Sequence, residues 1–303
     1  MILRQKSLDT LPVELLYEIY FFALSEHLPL TCKRLHAVFK HAPPSVHATY
    51  LLNRHQIFLN KSTAPKPQLL TVILRYPLVT EAVLSSLLAH PIVTSHPHLL
   101  IQPPHLPRRL FRSLQQRQPR SIPLKERHAP LPFLKFLYNH PKIPRPDTNA
   151  HEGYALARAV LAGFVPLIEF LLDNGADPGL KGGIAVKVAI QMRDLGLVRM
   201  LVERGYTPPT TDTTTVPFSS RRSSFGRRME AAVADAGSGG ENATVASGAK
   251  RRRTEDRMKV TPGLLQTAVR HGAMDIVDWM MKEKGCVPDM KTISLMMAMR
   301  SGQ

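Results

Sequence analysis

Cysteine is almost missing from this chain: Cys32 and Cys286 are the only two in 303 residues. That excludes a disulfide framework and any zinc site of the CxxC type, and it fits a reducing compartment. Long apolar runs are missing too. No uninterrupted stretch reaches the ~18 residues of a membrane-spanning helix, and the opening MILRQKSLDT has no apolar signal core. No membrane association is expected, and the expected location is cytoplasmic, nuclear or both. The sequence contains no H-E-x-x-H, no G-x-S-x-G and no G-x-x-x-x-G-K. Histidine is plentiful, yet His90, His96, His98 and His105 fall in a Pro-rich stretch without nearby Cys or carboxylate. A loop role outweighs a metal site there, and no constellation supports catalysis. The expectation is a protein with no enzyme activity, no cofactor and no metal.

Acidic residues are scarce: 23 Asp and Glu stand against 40 Lys and Arg, a net charge of +17. The imbalance is local. Residues 61–150 hold thirteen basic and three acidic residues, a net +10, whereas 151–206 are neutral. Apolar residues make up 44% of the chain, enough for a folded core.

What is present is a repeat. Leu167–Pro178 reads LIEFLLDNGADP, an apolar helical face followed by Gly175 as a left-handed helix stop and Pro178 as a breaker. Taking Ala159 as anchor, Gly163 lies four residues on, Leu167–Ile168 eight and nine on, and Gly175 sixteen on. Thirty residues later Ala189, Leu197–Val198 and Gly205 repeat the pattern, with Arg193 where Gly163 stood, so that turn reads as degraded. Ala268, Gly272 and Ile276–Val277 repeat it again, with Gly285 one residue late, and Ala298 and Gly302 begin a further copy. Leu131–Pro141 overlays Val165–Gly175 at an offset of 34, and Ala82–Pro91 is a weaker copy. A helix pair cannot bury its own face, so several must stack.

This pattern resembles the ankyrin repeat: helix, tight Gly turn, second helix, then G-A-D-x in the outgoing loop. GADP at Gly175–Pro178 is its most specific piece. The family's T-P-L-H opening is replaced by Tyr154-Ala155-Leu156-Ala157 in one copy and Gly263-Leu264-Leu265-Gln266 in another. The resemblance implies an α-solenoid that binds other proteins, and the 30-residue period implies short connecting loops.

The N-terminal stretch is a different module. Pro12 and Glu14 suit a helix start, and a helix is expected to about Leu24. Leu15, Ile19, Phe22 and Ala23 form one apolar stripe; Val13, Tyr17, Tyr20, Phe21 and Leu24 form a second. A helix apolar nearly all round must be covered nearly all round. A module of about 40 residues cannot supply that much cover itself. Leu11-Pro12-Val13-Glu14-Leu15-Leu16 with Ile19, then Leu28-Pro29-Leu30-Thr31-Cys32-Lys33-Arg34-Leu35, resemble an F-box. The spacing from Pro12 to Cys32 is about three residues shorter than the family pattern. The resemblance implies docking on a Skp-family linker subunit of a cullin–RING ubiquitin ligase through Leu11, Pro12, Leu15, Leu16, Ile19, Leu30 and Leu35. The alternative is that this module caps the solenoid in cis. Cys32 is expected to pack inside a helix.

The remaining segments fill in the order. Tyr50–Leu59, Leu69–Arg75 and Glu81–His90 read as helices, and Ser62–Gln68 as a linker. Leu106, Leu110 and Leu114 follow a helical face, with Arg108, Arg109, Arg112 and Arg117 falling largely away from it. A solvated basic face is favoured over a nucleic-acid footprint, because Phe111 is the one aromatic in the run. Residues 207–260 interrupt the repeats with Thr-, Ser-, Gly- and Ala-rich sequence too poor in bulky apolar residues to fold. Within them, Lys250-Arg251-Arg252-Arg253 resembles a nuclear import signal, and Arg221-Arg222-Ser223-Ser224 and Arg251-Arg252-Arg253-Thr254 resemble basophilic kinase sites. After Ala298 the last copy has no second helix, which leaves Ile293, Leu295, Met296, Met297 and Met299 either truncated of their cover or facing a partner.

The expected architecture is all-α: an F-box-like helical module at 1–60, degenerate helical repeats with a basic segment at 61–130, ankyrin-like repeats at 131–206, a disordered basic insertion at 207–260, and further repeats at 261–303. The expected role is a non-catalytic adaptor between a client protein and a ubiquitin ligase. A plain ankyrin scaffold and a nucleic-acid-associated protein are the alternatives.

Overall fold

The computed structural model describes residues 8–61, 68–117, 123–206 and 256–301. The described chain is all-α. Only two isolated bridges, His105 with Asp147 and Glu203 with Asp256, take the place of strands there. It divides into two compact units, Met1–Val188 and Ala189–Gln303. The division falls inside the helix Leu180–Gln191.

The first unit opens with α1 (Val13–Ala23), α2 (Lys33–Lys40) and α3 (Pro44–Lys61). Tyr20 of α1 stacks between Phe39 and Tyr50, with ring centroids 4.4 and 3.9 Å away. Burial pushes the Tyr20 phenol pKa well up, and neighbouring Tyr50 adds to the shift. Leu16, Leu35 and Leu51 complete this core. Helix α1 stops at Leu24, which takes a left-handed conformation (φ 45°). Arg54 of α3 holds that stop: its guanidinium donates to the Leu24 carbonyl and to the Tyr76 hydroxyl, and pairs with Glu26 at 3.4 Å. A cation at a helix C-terminus answers the unpaired carbonyls there.

Next come α4 (Leu69–Ile73), α5 (Glu81–Leu88), α6 (Pro91–Ser95) and α7 (Arg109–Arg112). Thr80 caps α5 by accepting from the Val83 amide. Helix α3 packs on α1, α4 and α5, so the N-terminal module is continuous with the helices after it. Then α8 (Leu131–Asn139), α9 (Ala150–Leu161), α10 (Val165–Asp173) and α11 (Leu180–Gln191) carry the repeats. Helices α8 and α10 have equal length at an offset of 34, as the sequence overlay expects. In the second unit α12 (Leu195–Val202) packs on α14 (Met274–Lys282), and α13 (Pro262–Arg270) packs on α14 and α15 (Met290–Ser301).

The repeat is geometrically real. Ala159, Ala189 and Ala268 are all fully buried. Each is followed by the same turn. Phe164 N donates to Ala159 O, Asp194 N to Ala189 O, and Ala273 N to Ala268 O, at 3.0, 3.2 and 3.0 Å. The left-handed residue of each turn is Gly163, Arg193 or Gly272. The turn at Arg193 is therefore intact rather than degraded, with a non-glycine residue held at φ 54°. Gly175, Gly205 and Gly285 also lie at positive φ, closing the second helix of each copy. Ala298 departs from the pattern: it is exposed, while Thr292 is the fully buried residue of α15.

The 30-residue period has a second cause. His151-Glu152-Gly153 and Lys181-Gly182-Gly183 each form one left-handed turn, 30 residues apart. Gly153 N donates to Asn149 O and Gly183 N to Gly179 O, again in register. The regular part of α9 starts only at Tyr154, and that of α11 at Ile184. A left-handed non-glycine residue costs about 1–2 kcal/mol, so these loop tips are strained.

Candidate functional site

The helix α1 resolves which apolar stripe is internal. Leu16 and Tyr20 point into the core; Leu15 (44% exposed), Phe22 (87%) and, beyond the helix, Leu30 (71%) are exposed. Of the seven expected docking residues, Pro12, Leu15 and Leu30 are exposed, and Leu11 and Ile19 are half-buried. Leu16 (1%) and Leu35 (3%) are buried in the module's own core. Phe22, missing from that set, is the most exposed large apolar side chain of the module among the described residues.

The second half of the motif has structural work. Cys32 is not inside a helix: it caps α2, its Sγ accepting from the Leu35 amide at 3.4 Å. Arg34 reaches back to the Leu11 carbonyl at 3.0 Å. The Cys-Lys-Arg-Leu stretch thus ties the start of α2 to the residue just before α1, and its Leu35 is buried.

The expected basic helix does not form. Only Arg109–Arg112 is helical, although Leu106 and Leu114 are buried as the spacing expects. Pro103, Pro104 and Pro107 prevent an earlier start. At the other end Arg158 of α9 donates to the carbonyls of Phe111, Arg112 and Leu114, fixing the chain as it leaves the helix. The four arginines are split by role. Arg109 is partly buried, with its Nε donating to Leu74 O at 2.7 Å and burial pulling its pKa down. Arg108 lies over the Tyr154 ring, 5.4 Å from its centroid. Arg112 and Arg117 are exposed. The Arg117 amide donates to Leu161 O, and the Arg117 side chain lies against Gly163.

The loop tips of the first unit form a second surface. Asn149 links two copies: its amide nitrogen donates to Gly175 O at 3.2 Å, and its amide oxygen accepts from Asp177 N at 2.9 Å. Glu152 pairs with Lys181 at 2.9 Å across the two left-handed turns. These loops are fixed by hydrogen bonds and expose polar side chains.

In the second unit Lys284 sits almost buried between Glu203 (2.9 Å) and Asp256 (2.7 Å) and 5.3 Å from the Trp279 ring centroid. Arg199 pairs with Glu283 at 2.6 Å and lies over Trp279 and Tyr206. Burial alone would lower the Lys284 pKa. Hydrogen bonds to Asp256 and Glu203 and their charges outweigh it, and the net direction is up.

Lys250–Arg253, Arg221–Ser224, residues 207–255 of the expected insertion and residues 62–67 of the expected linker lie outside the described residues. Among the described residues, no three His, Cys, Asp or Glu side chains form a metal-binding group, and no helix is long and apolar enough to cross a membrane. Compared with family models, curated proteins and solved structures, the chain matches none.

Proposed function

We propose that this protein is a non-catalytic adaptor. Its N-terminal module docks on a Skp-family linker subunit of a cullin–RING ubiquitin ligase, and its ankyrin-like helical repeats hold a client protein, in the cytoplasm, the nucleus or both. The observation that carries the reading is the outward stripe of α1. Leu15 and Phe22, two turns apart on one face of α1, leave apolar surface in water although the module's own core is closed by Leu16, Tyr20, Leu35 and Phe39. Contiguous exposed apolar surface on a folded protein marks an interaction site. Its position within the F-box-like stretch is what favours a linker subunit as the partner.

The test is direct binding between the purified chain and a purified Skp-family linker subunit. Leu15→Ala is expected to cost about 2 kcal/mol, or ~30-fold in affinity, as a buried interface anchor does. Leu15→Asp with Phe22→Asp is expected to abolish binding while leaving the thermal unfolding curve unchanged, since both side chains are exposed. A wild-type chain that fails to bind any linker subunit refutes the reading.

A second reading draws on α3, which packs on both α1 and α5. Helices α1–α3 would then close the end of the helices that come after them, and the repeats would act as a scaffold without a ligase. That reading stands if linker binding is absent.

A further inference from the structure

A cluster of basic side chains in the first unit is assembled by the backbone. Residues 104–109 are pinned on two sides. On one side, His105 N donates to Thr71 Oγ1 at 3.0 Å, and Arg109 Nε donates to Leu74 O at 2.7 Å. On the other, Asp147 N donates to Pro104 O at 3.0 Å, and His105 bridges Asp147. The loop carrying Asp147 is held in turn by Tyr138, whose hydroxyl donates to Pro146 O at 2.9 Å. This threading brings Arg75, just past α4, together with His105, Arg108 and His151, all four exposed. His151 registers the grouping: its pKa is lowered first by burial, then by the charges of Arg108, Arg75 and His105.

The neighbouring carboxylates are already used. Asp147 pairs with His105 at 3.2 Å, and Glu152 with Lys181 at 2.9 Å. Among the described residues, neither Arg75 nor Arg108 has a carboxylate within ion-pair distance. The two guanidiniums therefore flank one site without a direct ion pair, on segments locked by hydrogen bonds and next to a strained left-handed turn, with Glu152 and Asp147 within electrostatic range of the cluster. A guanidinium fork is suited to bidentate pairing with carboxylate.

We propose that Arg75, His105, Arg108 and His151 form a binding site for an acidic peptide segment of a partner protein. This rests on the reading that the repeats hold a client, and it names that client's chemistry. Nucleic acid fits less well. Tyr154 is already covered by Arg108, and Tyr76, next to Arg75, is engaged by Arg54; Asp147 and Glu152 would repel a continuous phosphate chain. Separate carboxylates can meet the two guanidiniums and avoid both acids.

The experiment uses the full chain and a fluorescein-labelled octaglutamate peptide, with octaglutamine as control, followed by anisotropy. Octaglutamate is expected to bind and octaglutamine not, with affinity falling as salt rises. The double variant Arg75→Glu, Arg108→Glu is expected to weaken binding about tenfold or more. Arg127→Glu, an exposed charge reversal outside the cluster, is expected to change it less than about threefold. Equal weakening by both variants overturns the site in favour of general charge attraction, as does no binding by the wild type. Tighter binding of an eight-nucleotide oligothymidine, with the same sensitivity to the double variant, overturns the peptide in favour of nucleic acid. Linker-subunit capture by the same protein is read separately. Its absence with octaglutamate binding intact counts against the ligase connection and supports the peptide site. Its presence without octaglutamate binding overturns the peptide site alone.

Discussion

Arg193 should be a poorer residue at its position than glycine. It occupies the left-handed place of a turn that Gly163 and Gly272 fill in the other copies, at φ 54° against 62° and 65°. The hydrogen bonds are equivalent, so the backbone demand is the same in all three. A side chain with a Cβ costs about 1–2 kcal/mol there. Glycine loses about 0.5–1 kcal/mol more chain entropy on folding than alanine. The Arg193 guanidinium touches the Gly272 position, with Nη2 3.4 Å from where a Cβ would stand. An exposed contact of that kind is worth at most about 0.5 kcal/mol. Arg193→Gly is therefore expected to stabilise the second unit by about 0.5–1 kcal/mol relative to Arg193→Ala, which loses the same guanidinium but keeps the Cβ.

The assay is built into the chain. Trp279 is the only tryptophan, and it is buried in α14 of the same unit. Urea unfolding followed by its fluorescence reports on the surroundings of α14. The midpoint should order as Arg193→Gly above Arg193→Ala. Gly272→Ala should fall below wild type by about 1 kcal/mol, because its Cβ meets only the far end of the Arg193 side chain and the cost is backbone strain. An Arg193→Gly midpoint at or below that of Arg193→Ala would refute the argument that these three turns are one motif.

The first unit offers a contrast within α1. Leu16→Ala should cost about 3 kcal/mol of its stability, as buried leucines do, while Leu15→Ala should change it by less than about 0.5 kcal/mol; comparable losses would mean the stripe is assigned to the wrong side. In the second unit Lys284→Met should cost about 3 kcal/mol, since it leaves Glu203 and Asp256 facing each other without the ammonium, and the Trp279 unfolding midpoint measures it. Because the folded Lys284 pKa lies above the ordinary 10.5, its contribution is complete below that pH and is lost as pH rises through the folded value. A wild-type unit whose midpoint holds constant from about pH 9 to about pH 12 would contradict the ion cluster.

Much of the repeat was legible because its signals are local. The Ala anchor, the glycine four residues on and the apolar pair beyond it each follow from one helix turn, so spacing alone finds them. Arg193 misled for a related reason. Residue identity suggests whether a left-handed turn is easy, not whether neighbouring helices impose it. The basic segment was misread for the opposite reason. Leu106, Leu110 and Leu114 have helical spacing, yet the partner that ends the helix, Arg158, lies more than forty residues away and carries no local mark.

The choice between the two stripes of α1 was the least legible point, and it is the one on which the proposed function turns. Both stripes are apolar, so hydropathy cannot rank them. What ranks them is the stack of Tyr20 between Phe39 and Tyr50, a contact among three helices. Once Tyr20 is fixed inward, Leu16 must share its face one turn earlier, and Leu15 and Phe22 must turn away. The same constraint separates the two jobs of the motif residues. Leu16, Cys32, Arg34 and Leu35 build the module whether or not a partner exists, so substituting them tests only folding. Leu15, Phe22 and Leu30 do nothing visible for the fold, so a loss of binding on their substitution can be assigned to a partner surface.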